Sequence, residues 1–232
     1  LYLSILYVNL VQYRESLQIS KHARDAAYKN KLRSPLAEIE MTHGQVLLAV
    51  KRPRQAHTAL QRARRLFQQL ALPLYLATCD RLLAETKIES YAARQRRLKA
   101  SRQVFMKHAQ PVQIALTELV QSEIASERGE RASAEQHFLH SLQVLSPAFP
   151  DHAWRAEYGL ARIALQKGDL NHAANHLLRA VEYTTQVRIS AGVETQSNAF
   201  FRARRSRFDK AHQVTCATYR FGDAVKVIEA TK

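Results

Sequence analysis

Glycine and proline are scarce in this 232-residue chain, six of each, which leaves little material for the turns of a β-rich fold. No segment shows a convincing period-2 alternation of apolar and polar residues. Cysteine is rarer still, and Cys79 and Cys216 stand far apart within helical patterns. Two distant cysteines make neither a disulfide framework nor a zinc site, so each reads as a small buried apolar residue. Their scarcity fits a reducing, cytoplasmic setting. Long apolar runs are missing too. The run from Leu1 to Leu10 is half the ~20 residues a spanning helix needs. No basic residue precedes it, so it is a poor signal peptide. Its spacing (Leu3, Leu6, Leu10, Tyr13) suits the tail of a helix already under way. The chain therefore reads as truncated at its N-terminus, and no membrane partner is expected.

Chemistry-bearing motifs are also lacking. Neither Gly-x-Gly-x-x-Gly nor Gly-x4-Gly-Lys-Ser/Thr occurs, and His-Glu-x-x-His is absent, so no nucleotide, metal or other cofactor is expected. His137/His140 and His172/His176 each share a helix face, but no third ligand stands at suitable spacing, and a structural or solvent role is expected. Glu118, Glu123, Glu127, Glu130 and Glu135 read as a solvated face. Catalysis within these residues is not expected. Negative charge is the last deficit: 20 Asp and Glu oppose 35 Lys and Arg, a formal net charge of +15. The cations clump at Arg62, Arg64 and Arg65, at Arg94, Arg96, Arg97, Lys99 and Arg102, and at Arg202, Arg204, Arg205, Arg207 and Lys210. They are expected on solvated outer faces, where an acidic partner or nucleic acid could meet them.

What is abundant is alanine, leucine, glutamine, arginine and glutamate, the good helix formers. Residues Trp154 to Val181 organise them. Leu160, Ala161 and Ala164 form one helical stripe, Gly168-Asp169 interrupts it, and Ala173, Leu177 and Ala180 form a second. Small residues allow two antiparallel helices to approach closely while leucines fill the seam. Such a hairpin cannot bury its apolar face alone, so neighbours must stack on it. With Ala173 as a ruler, Ala134, Ala93 and Ala56 mark the second helices of three earlier hairpins, 39, 41 and 37 residues apart in turn. Gly44 is expected where two helices cross most closely. The Ala93 hairpin fits least well. Its first helix reads as roughly Leu72 to Tyr91, with Leu76, Cys79, Leu83 and Ile88 at helical spacing, but Arg81 and Arg97 fall where small or apolar residues belong. Pro35, Pro73, Pro111 and Pro150 precede or open first helices and Pro53 opens a second one, positions where a missing N–H costs little.

The sequence thus predicts an all-α, right-handed superhelical solenoid of antiparallel helix hairpins. The divisions are a partial unit at 1–34 carrying Tyr13, Leu17 and Ala23, four hairpins at 35–187, and a long helix with a terminal hairpin at 188–232. This pattern resembles the tetratricopeptide repeat (TPR). The tail, Tyr219-Arg220-Phe221-Gly222-Asp223-Ala224 followed by Val225 to Lys232 with Glu229 and Lys232, is similar to the junction before a CHAT domain. Phe200-Phe201-Arg202 to Arg207-Phe208 resembles that family's penultimate helix. CHAT domains are caspase-like peptidase modules that follow TPR arrays. The resemblance implies a regulatory arm whose catalytic His and Cys would lie after Lys232, and it carries no catalytic residue onto this chain.

A TPR array implies a concave groove lined by first helices. Met41, Gln45 and Leu48, then Leu119, Glu123 and Glu127, then Arg155, Tyr158, Arg162 and Gln166 would face it, offering mixed charge and apolar contacts to a protein or peptide. Three functions remain compatible: the arm of a CHAT-type peptidase, the sensor arm of a bacterial signalling or transcription regulator, or a basic helical repeat that associates with nucleic acid.

Overall fold

The computed structural model describes residues 13–146, 148–190 and 209–218, with Asp223, Ala224 and Val227; within these, side chains are described from Leu17 to Gln186 and again at 209–218, 223, 224 and 227. Among the described residues every regular element is an α-helix. In order they are α1 (Tyr13–Lys29), α2 (Arg33–Ala49), α3 (Pro53–Gln69), α4 (Pro73–Glu85), α5 (Tyr91–Lys107), α6 (Pro111–Glu127), α7 (Arg131–Leu145), α8 (Pro150–Gln166) and α9 (Leu170–Ser190). Residues 209–217 are also helical. The chain forms two compact units, Leu1–Val120 and Gln121–Lys232.

One turn design recurs. The N–H of Leu32, Arg52, Leu72, Gln110, Glu130 and Asp169 donates to the carbonyl five residues back, at 2.8–3.1 Å. The residue before each has positive φ: Lys31, Lys51, Ala71, Ala109, Gly129 and Gly168. This is the Schellman ending, and each donor stands immediately before the next helix, so three residues suffice to reverse the chain. Pro53, Pro73 and Pro150 occupy the first turn of their helices, where no N–H is needed.

In the first unit α1 packs on α2, α2 on α3, α3 on α4 and α4 on α5; in the second α7 packs on α8 and α8 on α9. The second helix of every hairpin buries the same four-residue pattern. It reads Ala56-Leu60-Ala63-Phe67 in α3, Arg94-Leu98-Ser101-Phe105 in α5, Ala134-Phe138-Ser141-Leu145 in α7 and Ala173-Leu177-Ala180-Thr184 in α9. Small residues admit the partner backbone and each large one gains ~1.5–3 kcal/mol from burial. A Cβ on Gly44 would lie 2.6 Å from Leu60 Cγ, which explains the missing side chain. The ruler through Ala93 is therefore one residue out: Arg94 holds the alanine position, and its Nε donates to the Ala84 carbonyl at 2.8 Å. The preceding helix is also shorter than expected. It ends at Glu85, Ile88 lies exposed in the connection, and Ser90 caps α5 by accepting from the Ala93 N–H.

In the second unit Ala161, Ala164, Ala173, Leu177 and Val181 share a core cluster with Ala211, Val214 and Val227, so burial continues past α9. The Leu1–Leu10 run, Phe200 to Phe208, Tyr219 to Gly222 and the Glu229/Lys232 ending lie outside the described residues. No helix among the described residues is long and apolar enough to cross a membrane.

Candidate protein-interaction surface

The first helices carry a signal that the alanine ruler does not expose. Glu40, Asp80, Glu118 and Glu157 recur 40, 38 and 39 residues apart, all are buried, and each meets cations from a second helix. In the first unit Arg64 Nε donates to Asp80 Oδ1 at 2.7 Å, and Arg97 closes on the same oxygen. Arg97 also grips Glu89 with two donors, at 2.5 and 2.6 Å; this bidentate bond holds the Glu89 carboxyl below its usual range and raises the guanidinium. Arg102 Nη2 donates to Glu118 Oε1 at 3.2 Å. Arg64 and Arg102 both reach forward 16 residues to the next hairpin's acid, so each bridge clips two hairpins together. In the second unit His176 Nδ1 lies 2.6 Å from Glu157 Oε2, and Arg179 Nε lies 3.3 Å from Oε1.

Glu40 is the least satisfied. Arg62 Nη1 stands 3.7 Å from Oε1, while the buried Oε2 has no hydrogen-bond partner. Desolvation raises this carboxyl, against the pull of Arg62 and Arg24. Nearby, His43 Nδ1 is 2.7 Å from Ser20 Oγ, and burial with two arginines lowers its pKa.

These bridges correct two expectations. Arg64, Arg94, Arg97 and Arg102 are not free cations on an outer face; partners 8–17 residues away hold them, while Arg62, Arg65, Arg96 and Lys99 are the well-exposed members of the first two clumps. Glu118 is likewise no member of a solvated acidic face, since its side chain is 4% exposed beneath Arg102. Arg81, which misfits the repeat pattern, is buried and donates to Glu85 at 2.8 Å, turning an intrusive charge into an i,i+4 pair.

The ten residues expected to line a groove divide by environment. Leu119 is fully buried, so it offers a ligand no surface, which corrects its place among the groove residues. Met41 and Leu48 are half-buried and pack beside the Leu60, Leu82 and Leu83 cluster. Tyr158 packs against the α8–α9 core. Glu123 and Arg155 meet each other, with Arg155 Nε and Nη2 donating to the two carboxylate oxygens at 3.0 Å. Gln45 is half-buried, and Glu127, Arg162 and Gln166 are exposed. The accessible chemistry on first helices is thus amide and charge.

The other candidates resolve locally. Cys79 is buried with its thiol pushed up to about 12, so it holds no thiolate near neutral pH. Cys216 is half-buried beside His212. His172 pairs with Asp169, whose Oδ1 also accepts from the His172 N–H at 3.0 Å, while His176 turns to Glu157. Among the described residues no group of three or more His, Cys, Asp or Glu is placed to hold a metal ion.

No protein-family model matches the chain, and no curated protein does. Solved structures do. The apo form of RapI superposes with a TM-score of 0.55 at 12% identity, covering 92% of this chain and 97% of that one. The apo form of the quorum sensor NprR from B. thuringiensis gives 0.58 at 12% identity, covering 95% of this chain and 70% of that one. The chain shares their fold, an all-α TPR-type array of helical hairpins.

Proposed function

We propose that this chain is a regulatory arm that binds a protein or peptide along its first helices. The supporting observation is the register: Gln45, Glu123 and Arg162 each stand five residues after the buried acids Glu40, Glu118 and Glu157 on the first helices α2, α6 and α8, with Glu127 and Gln166 one turn further on. In the first unit the Arg64 and Arg102 bridges tie neighbouring hairpins together. A photo-crosslinking residue at Gln45 or Arg162, compared with one at exposed Thr58 on α3, tests this in the native cell. The same discrete partner captured from both first-helix positions, and not from Thr58, supports the reading. Equal capture from Thr58 removes it.

The finer assignment is the arm of a CHAT-type peptidase, supported by the resemblance of Tyr219 to Lys232. A reading frame that encodes a caspase-like His and Cys after Lys232 supports it, and one that stops shortly afterwards excludes it. The sensor arm of a signalling or transcription regulator is the second reading. It is favoured by the shared fold with a protein described as a quorum sensor, and it requires a DNA-binding or nucleotide-binding domain encoded before Leu1.

A further inference from the structure

Bridging has a consequence for the outside of the first unit. Residues 1–120 contain 20 Lys and Arg but eight Asp and Glu. Five of those acids face inward: the side chains of Glu40, Asp80, Glu85, Glu89 and Glu118 are all under one-fifth exposed. Among the described side chains of this unit, Asp25 and Glu38 are the acids left outside, against a larger number of exposed Lys and Arg.

That charge meets apolar surface along one edge. Successive helices reverse through short turns, so the α1–α2, α3–α4 and α5–α6 turns lie on the same edge of the unit. Residues 26–37, 66–76 and 103–114, which build it, include no Asp or Glu. The two outer turns carry exposed Lys29, Lys31 and Arg33 on one side and Lys107 on the other. Between them the α3–α4 turn is uncharged. Tyr75 stands 40% exposed there, its ring stacked on buried Phe67 at 4.9 Å. Tyr28, Leu32 and Met106, at 77%, 49% and 54% exposure, extend the apolar strip toward the cations.

We propose that this edge docks an amphipathic helical segment of a partner protein, apolar at its centre and acidic at both ends. An apolar centre with a charged rim is the anatomy of a protein interface, where tyrosine and methionine are enriched. Phosphate binding would leave Leu32 and Met106 without a role. The site lies at the turns and helix ends of the first unit, away from the first-helix positions Gln45 and Arg162.

The test is selection of random peptides of about 16 residues displayed against the full chain. The expected winners carry Asp or Glu flanking an apolar stripe. Their affinity falls at least about tenfold in Lys31→Glu/Arg33→Glu and in Tyr28→Ser/Met106→Gln, and is unchanged in Arg162→Glu. These positions are exposed, and an unchanged melting temperature confirms folding; a peptide with its acids changed to lysine should regain binding to the charge-reversed variant. Winners without acidic bias, or affinity insensitive to the edge variants, overturn the proposal. So does tighter binding of oligothymidine or of phosphatidylserine vesicles at this edge. Loss in Arg162→Glu alone would support the first-helix reading and reject the edge.

Discussion

Single residues set the tolerances of this array. A Cβ on Gly159 in α8 would run into the ring of Phe138, which is 2% exposed and held on α7. Gly159→Ala should cost about 1–3 kcal/mol by overpacking in urea unfolding, and Phe138→Leu in the same chain should restore part of it. Ala71 presents the opposite case, with φ of 52°, a conformation that charges a non-glycine residue ~1–2 kcal/mol. Ala71→Gly should stabilise by about 0.5 kcal/mol, the strain relieved less the extra chain entropy of glycine; thermal unfolding would show it. An unchanged or lower melting temperature would mean that the turn is not strained.

At the scale of helices, the buried acids act in opposite senses. Burial raises the Glu40 carboxyl, so its contribution is present below the unfolded value and lost as pH rises through the folded one. Glu40→Gln should therefore stabilise the protein at neutral pH. Hydrogen bonding to Arg97 lowers Glu89, so that contribution is present above the unfolded value and lost as pH falls through the folded one. Glu89→Gln should destabilise at neutral pH and flatten the acid limb of the stability curve below the usual glutamate value of 4.5. Urea titrations of both variants across pH measure the two signs. Histidine adds a third contribution: burial lowers His43 and His57, so stability should also decline as pH drops below 6.5, and less so in His57→Gln. Asp80→Ala would leave Arg64 and Arg97 without their shared acceptor. Both are partly solvated, which limits the loss to about 1–3 kcal/mol, below that of a fully buried pair.

The whole molecule carries a net charge of +15, and attraction to nucleic acid follows from that alone. With no groove-reading element among the described residues, binding to a random oligonucleotide should vanish at physiological salt. Fluorescence anisotropy across a salt series measures this, and affinity that persists would revive a nucleic-acid function.

Much of the fold was legible because its signals are local. Prolines at first-turn positions, Gly129 and Gly168 at helix ends, and the alanine–leucine period each act within a few residues. The Arg94 hairpin escaped because its connection uses Thr86 to Ser90 with no glycine or proline, and because an arginine fills an alanine position by bonding to a carbonyl ten residues back. For the candidate surface, register alone names Gln45, Arg162 and Gln166, which remain a proposal, and it did not reveal that Leu119 is buried, because exposure depends on packing and not on spacing.

The sequence by itself determined that the chain is helical, where it turns, and that hairpins repeat, since backbone propensity and capping depend on neighbours along the chain. It also contained the period of Glu40, Asp80, Glu118 and Glu157. Only the tertiary structure decided what those acids do. A carboxylate on a helix looks the same in sequence whether water or an arginine completes it, and here the arginines stand 16, 17 or 22 residues away on another helix. Packing brought them together and turned these four acids inward.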